Sequence, residues 1–171
     1  VICGKGVYTN SLTKTFTIRP ETMASAVITG CKAKYSYTGK QVKPLIQVVW
    51  NGKILRNNTD YTLLYKNNKK RGSAGIVVTG KGNYSGTLTA SFTIVRASVK
   101  KASVTGLKAV YARTGKAVKP KVTVKLGGKK LKKKRDYILS YRKNKKKGTA
   151  LLYVKGVGNY SGTKKMKFKI R

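Results

Sequence analysis

The sequence holds no histidine and only three acidic side chains, Glu21, Asp60 and Asp136. Without histidine, neither a Ser–His nor a Cys–His nucleophilic pair can be assembled. Hydrolysis by paired carboxylates needs two acids facing one substrate. Asp60 and Asp136 occupy matching places in two similar stretches 76 residues apart, so each is expected in its own setting. Two cysteines, Cys3 and Cys31, with no C-x-x-C pair, supply none of the usual zinc ligand sets. A bridge between them and two small, partly buried thiols both fit the sequence. The glycine-rich stretch 80–86 is followed by no helical pattern, which excludes a P-loop or dinucleotide fingerprint. No cofactor and no enzymatic activity are expected. No run of about 18 apolar residues exists to span a membrane.

What is present is a repeat. Residues 60–86 read DYTLLYKNNKKRGSAGIVVTGKGNYSG and residues 136–162 read DYILSYRKNKKKGTALLYVKGVGNYSG, with 16 of 27 positions identical at an offset of 76. Residues 1–18 align with 77–94 at the same offset. A fixed period of this kind marks one supersecondary unit used several times. The organisation expected is the closing hairpin of a truncated unit (1–18), a first full unit (19–94) and a second (95–171), with 19–26 and 95–102 as short connectors. The chain is thus read as a piece of a longer protein.

The remaining composition is basic: 40 lysines and arginines give a net charge of +37. Residues 1–18 carry +2, residues 19–94 carry +10, and residues 95–171 carry +25. A field of this size favours polyanionic partners and opposes self-association.

Apolar residues recur with period two, the signal of strands. Val122, Val124 and Leu126 alternate with Lys121, Thr123 and Lys125; Tyr137, Leu139 and Tyr141, then Ala150, Leu152 and Val154, then Met166, Phe168 and Ile170 continue the inward face. The first unit repeats the scheme with Tyr61, Leu63, Tyr65, Ala74, Ile76, Val78, Ala90, Phe92 and Ile94, and Leu12, Phe16 and Ile18 do so near the start. Asn51-Gly52 and Gly127-Gly128 read as two-residue hairpin turns. Pro44 and Pro120 precede strands expected at 45–50 and 121–126. Short strands separated by turns every 8–12 residues predict an all-β chain of the β-sandwich kind.

The pattern Y-x-G/T-G-K…V-K-P…G-K-x-L…D-Y-x-L-x-Y-x-x-N…G-x-A…G-x-G-N-Y-S-G…F-x-I resembles bacterial immunoglobulin-like repeat modules, the MBG/YDG-type tandem modules of Gram-positive surface and secreted proteins. The resemblance covers nearly all of the chain. It implies tandem Ig-like β-sandwich modules acting as stalk, spacer or adhesion units of an extracellular or cell-wall-associated protein, next to further modules. Such modules are often acidic or mixed in charge, and this chain departs from them in being basic.

The candidate site residues lie in two runs flanking the strand 136–141: Lys129, Lys130, Lys132, Lys133, Lys134 and Arg135 before it, and Arg142, Lys143, Lys145, Lys146 and Lys147 after it. At about 3.3 Å per residue that strand spans roughly 20 Å, placing the runs at opposite ends of the module. Spread lysines suit delocalised attraction to an anionic polymer: wall teichoic acid, acidic polysaccharide or glycosaminoglycan. Arginine forks would suit shaped recognition of phosphate or base edges. Nucleic-acid binding is the first alternative, though single-strand readers also expose aromatics. An inert stalk or filament spacer, its charge serving only solubility, is the second.

Asp60 and Asp136 are read as structural, accepting backbone N–H bonds at turns. A Lys–Asn isopeptide bond would need one of them as a buried proton shuttle. Tyr84 and Tyr160, inside triplets that also fit the glycosylation pattern, are expected to fold over the core edge.

Overall fold

The computed structural model describes residues 2–3, 5–7 and 11–171, and they form an all-β chain of several sheets. Two compact units emerge: residues 1–29, 47–64 and 77–89, and residues 30–46, 65–76 and 90–171. Among the described residues no helix is long and apolar enough to cross a membrane.

In the first unit, β1 (Ile2–Cys3) and β2 (Ser11–Leu12) pair antiparallel. Of the glycine-rich turn expected between them, positions 4 and 8–10 lie outside the described residues. The alternation at Leu12, Phe16 and Ile18 does not translate into burial. Phe16 and Ile18 are 83% and 82% exposed, because residues 13–20 form no strand and acquire no sheet to cover them.

The stretch 19–26, read as a connector, belongs to the fold. Its β3 (Glu21–Thr22) runs parallel to a two-residue strand at Tyr84–Ser85, and Met23 is fully buried. Then β4 (Val27–Thr29) leads to β5 (Lys34–Ser36), which lies in the second unit. β6 (Gln47–Trp50) and β7 (Lys53–Leu55) form with β4 an antiparallel sheet ordered β4-β6-β7. Asn51 (φ 45°) and Gly52 (φ 75°) both take positive φ, as the two-residue β6–β7 turn requires.

β8 (Tyr61–Lys66), β9 (Gly72–Gly80) and β11 (Thr87–Val95) each supply residues to both units and form with β5 a sheet ordered β5-β11-β9-β8; β10 is the Tyr84–Ser85 strand.

The second unit holds β12 (Ala97–Ser98), a 3-10 turn at Val99–Lys101, β13 (Ser103–Thr105), β14 (Val110–Tyr111), β15 (Thr123–Leu126), β16 (Lys129–Lys130), β17 (Tyr137–Arg142), β18 (Gly148–Gly156), β19 (Tyr160–Ser161) and β20 (Thr163–Ile170). One sheet has the order β13-β15-β16 and another β14-β20-β18-β17, while β12 runs parallel to β19. Val124 from the first sheet shares a buried cluster with Tyr137 and Val154 from the second, the layering of a sandwich. A further cluster of Ala150, Leu152, Phe168 and Ile170 continues the core. The larger of these side chains, such as Val154, Leu152 and Phe168, each contribute about 1.5–3 kcal/mol by leaving water. Again the supposed connector is core, with Val99 and Ala102 fully buried.

β17 and β18 alternate buried and exposed residues in the same order as β8 and β9, which lie 76 positions earlier. The twice-written stretch explains this. In D-Y-x-L-x-Y-x-x-N, Tyr137 and Leu139 belong to the core, the Tyr141 hydroxyl donates to the Pro120 carbonyl at 2.8 Å, and Asn144 Nδ2 donates to the Val118 carbonyl at 2.9 Å. Tyr65 and Asn68 make the same bonds to Pro44 and Val42.

In G-x-G-N-Y-S-G, a Cβ on Gly156 would meet the Ser161 nitrogen at 2.7 Å, so that glycine is fixed by close backbone approach. Tyr160 is 3% exposed and packs edge-on against Tyr37 with centroids 5.8 Å apart; Tyr84, 7% exposed, meets Trp50 in the same manner at 5.4 Å. Both cysteines carry free thiols, Cys3 exposed and Cys31 half-buried.

Candidate polyanion-binding surface

The two basic runs flank β17: the first spans β16 and the turn after it, and the second starts on the last residue of β17 and continues into the following loop. Lys129 and Lys130 form β16 and are exposed. Gly127 (φ 55°) and Gly128 (φ 76°) make the turn that brings Lys130 opposite Lys125 and Lys129 opposite Leu126. Two lysines directly opposite on antiparallel strands repel. The pair 76 residues earlier, Val49 with Ile54, is apolar.

Leu131 interrupts the run with a 3% exposed side chain, and its N–H donates to the Val124 carbonyl at 2.9 Å. The lysine heads on either side are thereby turned outward from a fixed backbone. Beyond it the chain closes a turn in which the Lys132 N–H donates to Asp136 Oδ2 at 2.8 Å and the Asp136 N–H donates to the Lys132 carbonyl, also at 2.8 Å. Asp60 accepts from the Arg56 N–H in the same manner at 2.8 Å. Lys134 sits at the apex with φ 70°.

Arg135 grips Asp136 with its fork: Nε reaches Oδ1 at 2.9 Å and Nη2 reaches Oδ2 at 2.8 Å. This hydrogen bond, opposed by burial and helped by the Lys132 N–H, holds the Asp136 carboxyl below the ordinary aspartate value. The Arg135 guanidinium is raised in return. Asp136 is the one acid between residues 95 and 171, so Arg135 alone in the two runs has its charge matched by a carboxylate. The other ten candidates keep theirs.

At the far end of β17, Arg142 lies with its guanidinium carbon 5.8 Å from the Tyr153 ring centre. Lys143 takes φ 56°, and Asn144 pins the loop through Val118 in both directions, its carbonyl accepting the Val118 N–H at 2.7 Å. Lys145, Lys146 and Lys147 are exposed on the loop that follows. The six-residue β17 separates the runs by roughly 20 Å. They are two separate cationic regions of the second unit and no single pocket.

Lys134 and Lys143 carry a signal that composition alone does not give. Both adopt left-handed backbone, where a Cβ is costly and asparagine is several-fold enriched. Asn58 (φ 67°) and Asn67 (φ 53°) stand 76 residues earlier in the same conformation. Aligning the two copies and asking where asparagine became lysine would have found these positions together with Lys133, which stands where the other copy has Asn57.

No group of three or more histidine, cysteine or acidic side chains able to hold a metal ion occurs among the described residues. No protein-family model, curated protein or solved structure matches the chain.

Proposed function

We propose that the chain is a pair of Ig-like β-sandwich modules of a larger bacterial extracellular or wall-associated protein, without enzymatic activity, whose second module holds the protein to anionic polymers such as teichoic acid or acidic polysaccharide. The observation that carries this reading is the placement of Lys134 and Lys143 in left-handed backbone. Each L-residue there costs about 1–2 kcal/mol, and asparagine, the residue of the other copy, is better tolerated. The like-charged pair Lys125–Lys130 works in the same direction. Charge is retained where the fold would prefer other residues, which a purely solubilising surface does not require. No tyrosine between 95 and 171 is exposed, so the stacking platforms of single-strand nucleic-acid readers have no counterpart there.

The test is binding of the whole chain to a glycerol-phosphate polymer and to an acidic polysaccharide across a salt series. Affinity should fall steeply as salt rises, since the attraction is screened over about 10 Å at 0.1 M. Absence of binding at low salt, or affinity indifferent to salt, overturns the reading.

A further inference from the structure

The second unit carries a groove of about 870 Å³ between its two sheets, on the side where both have an open strand edge. β17 is the last strand of its sheet, flanked by β18 alone; among the described residues no strand pairs with its outer edge from Ile138 to Arg142. On the facing sheet β16 pairs only with Lys125 and Leu126 of β15, with Leu131 adding a bond at Val124; among the described residues no strand pairs with β15 on that side before Val124.

Val122, Leu131, Leu139 and Tyr141 give the groove an apolar lining, Leu139 and Tyr141 from alternate positions of β17. Lys119, Lys121, Lys130, Lys132 and Lys133 line it with cations, and no acidic side chain lines it. Open-edge backbone groups at ladder spacing, apolar contacts at period two and a cationic rim together define one chemistry. An extended peptide has the same period, with successive side chains on opposite faces, and such segments add to exposed sheet edges through main-chain bonds. A polysaccharide matches the cations but has no amide ladder to offer the edge.

We propose that this groove binds an acidic peptide segment in extended conformation, which adds to the outer edge of β17 with apolar side chains inward and carboxylates against the lysines. The inference goes beyond polymer binding and stands without it. In the first copy Leu45 and Ile54 stand at the positions of Lys121 and Lys130.

The probes are a capped eight-residue peptide of alternating valine and glutamate, the same peptide N-methylated at every second residue in each of the two frames, and a glucuronate oligosaccharide of equal charge, each titrated against the whole chain. The unmodified peptide should bind at least roughly tenfold more tightly than the weaker N-methylated frame, the loss expected from a few missing ladder bonds. Hydrogen exchange of β17 amides should slow on binding. The double variant Lys121→Leu/Lys130→Ile, built from residues the other copy already uses, should weaken the peptide roughly tenfold. Equal binding of all the peptides, unchanged β17 exchange, unchanged affinity in the double variant, or displacement of the peptide by the oligosaccharide at matched concentration each overturns the proposal. Failure of the glycerol-phosphate polymer to bind, with the peptide still bound, counts against polymer binding alone.

Discussion

The hydroxyl of Tyr141 donates to the carbonyl oxygen of Pro120 at 2.8 Å across 21 residues, and Tyr65 repeats the bond to Pro44 at the same distance and the same separation. Pro120 itself is buried, so losing the phenol leaves its carbonyl without that partner. Tyr141→Phe is expected to lower unfolding stability by about 1 kcal/mol. Chemical denaturation checks this, and affinity for a glycerol-phosphate polymer should not change.

Asp136 gives a pH dependence with a definite sign. Its folded-state carboxyl is held below the ordinary value, chiefly by the Arg135 fork. A depressed carboxylate contributes stability that is present above the unfolded value of about 3.9 and is lost as pH falls through the lower folded value. Stability should therefore decline on acidification below about pH 4, and Asp136→Asn should flatten that limb. Asp136→Ala, which strands the Lys132 N–H, should cost about 1–3 kcal/mol at neutral pH while polymer affinity holds or rises slightly. Thermal unfolding across a pH series measures both.

Met23 and Val99 test whether the supposed connectors are core. Both are fully buried. Met23→Ala is expected to cost about 2–5 kcal/mol, and Val99→Ala less because fewer methyl groups leave. Denaturant titration of the two variants gives the values; losses under about 0.5 kcal/mol would mark these segments as peripheral.

Much of the fold was legible because period-two patterning is dictated by burial on one face. Every inward position named from Tyr137 to Val154 is buried or half-buried, and the Asn51-Gly52 and Gly127-Gly128 turns form where positive φ is cheapest. The connectors were not legible. Met23 and Val99 are single apolar residues without period, and their partners are distant in sequence: the Ser85 carbonyl accepts the Met23 N–H at 2.9 Å, and Val99 packs in the cluster of Val124, Val154 and Tyr160. The Tyr141–Pro120 bond was hidden for the same reason: a tyrosine on the inward phase reads as core until its hydroxyl is followed. Phe16 and Ile18 show the converse, an alternation with no second sheet to cover it.

At the candidate surface, the sequence named both lysine runs and their separation along β17. It did not reveal that Arg135 is engaged by Asp136, because adjacent residues in a strand would point apart and only the turn at 132–136 lets the fork close. Nor did charge counting distinguish Lys134 and Lys143 from their neighbours, since their distinction lies in backbone conformation.

The most direct test of the central claim is the double variant Lys134→Asn/Lys143→Asn, compared with Lys32→Asn/Lys34→Asn, which removes the same charge from exposed positions outside the two runs. Equilibrium unfolding and polymer binding at low salt would be measured on both. Relief of left-handed strain should raise the stability of the first variant by about 0.5–2 kcal/mol, while its polymer affinity falls several-fold and the control stays near the parent. Unchanged affinity in the first variant, or an equal fall in both, would contradict the claim that these lysines are held against the fold for binding.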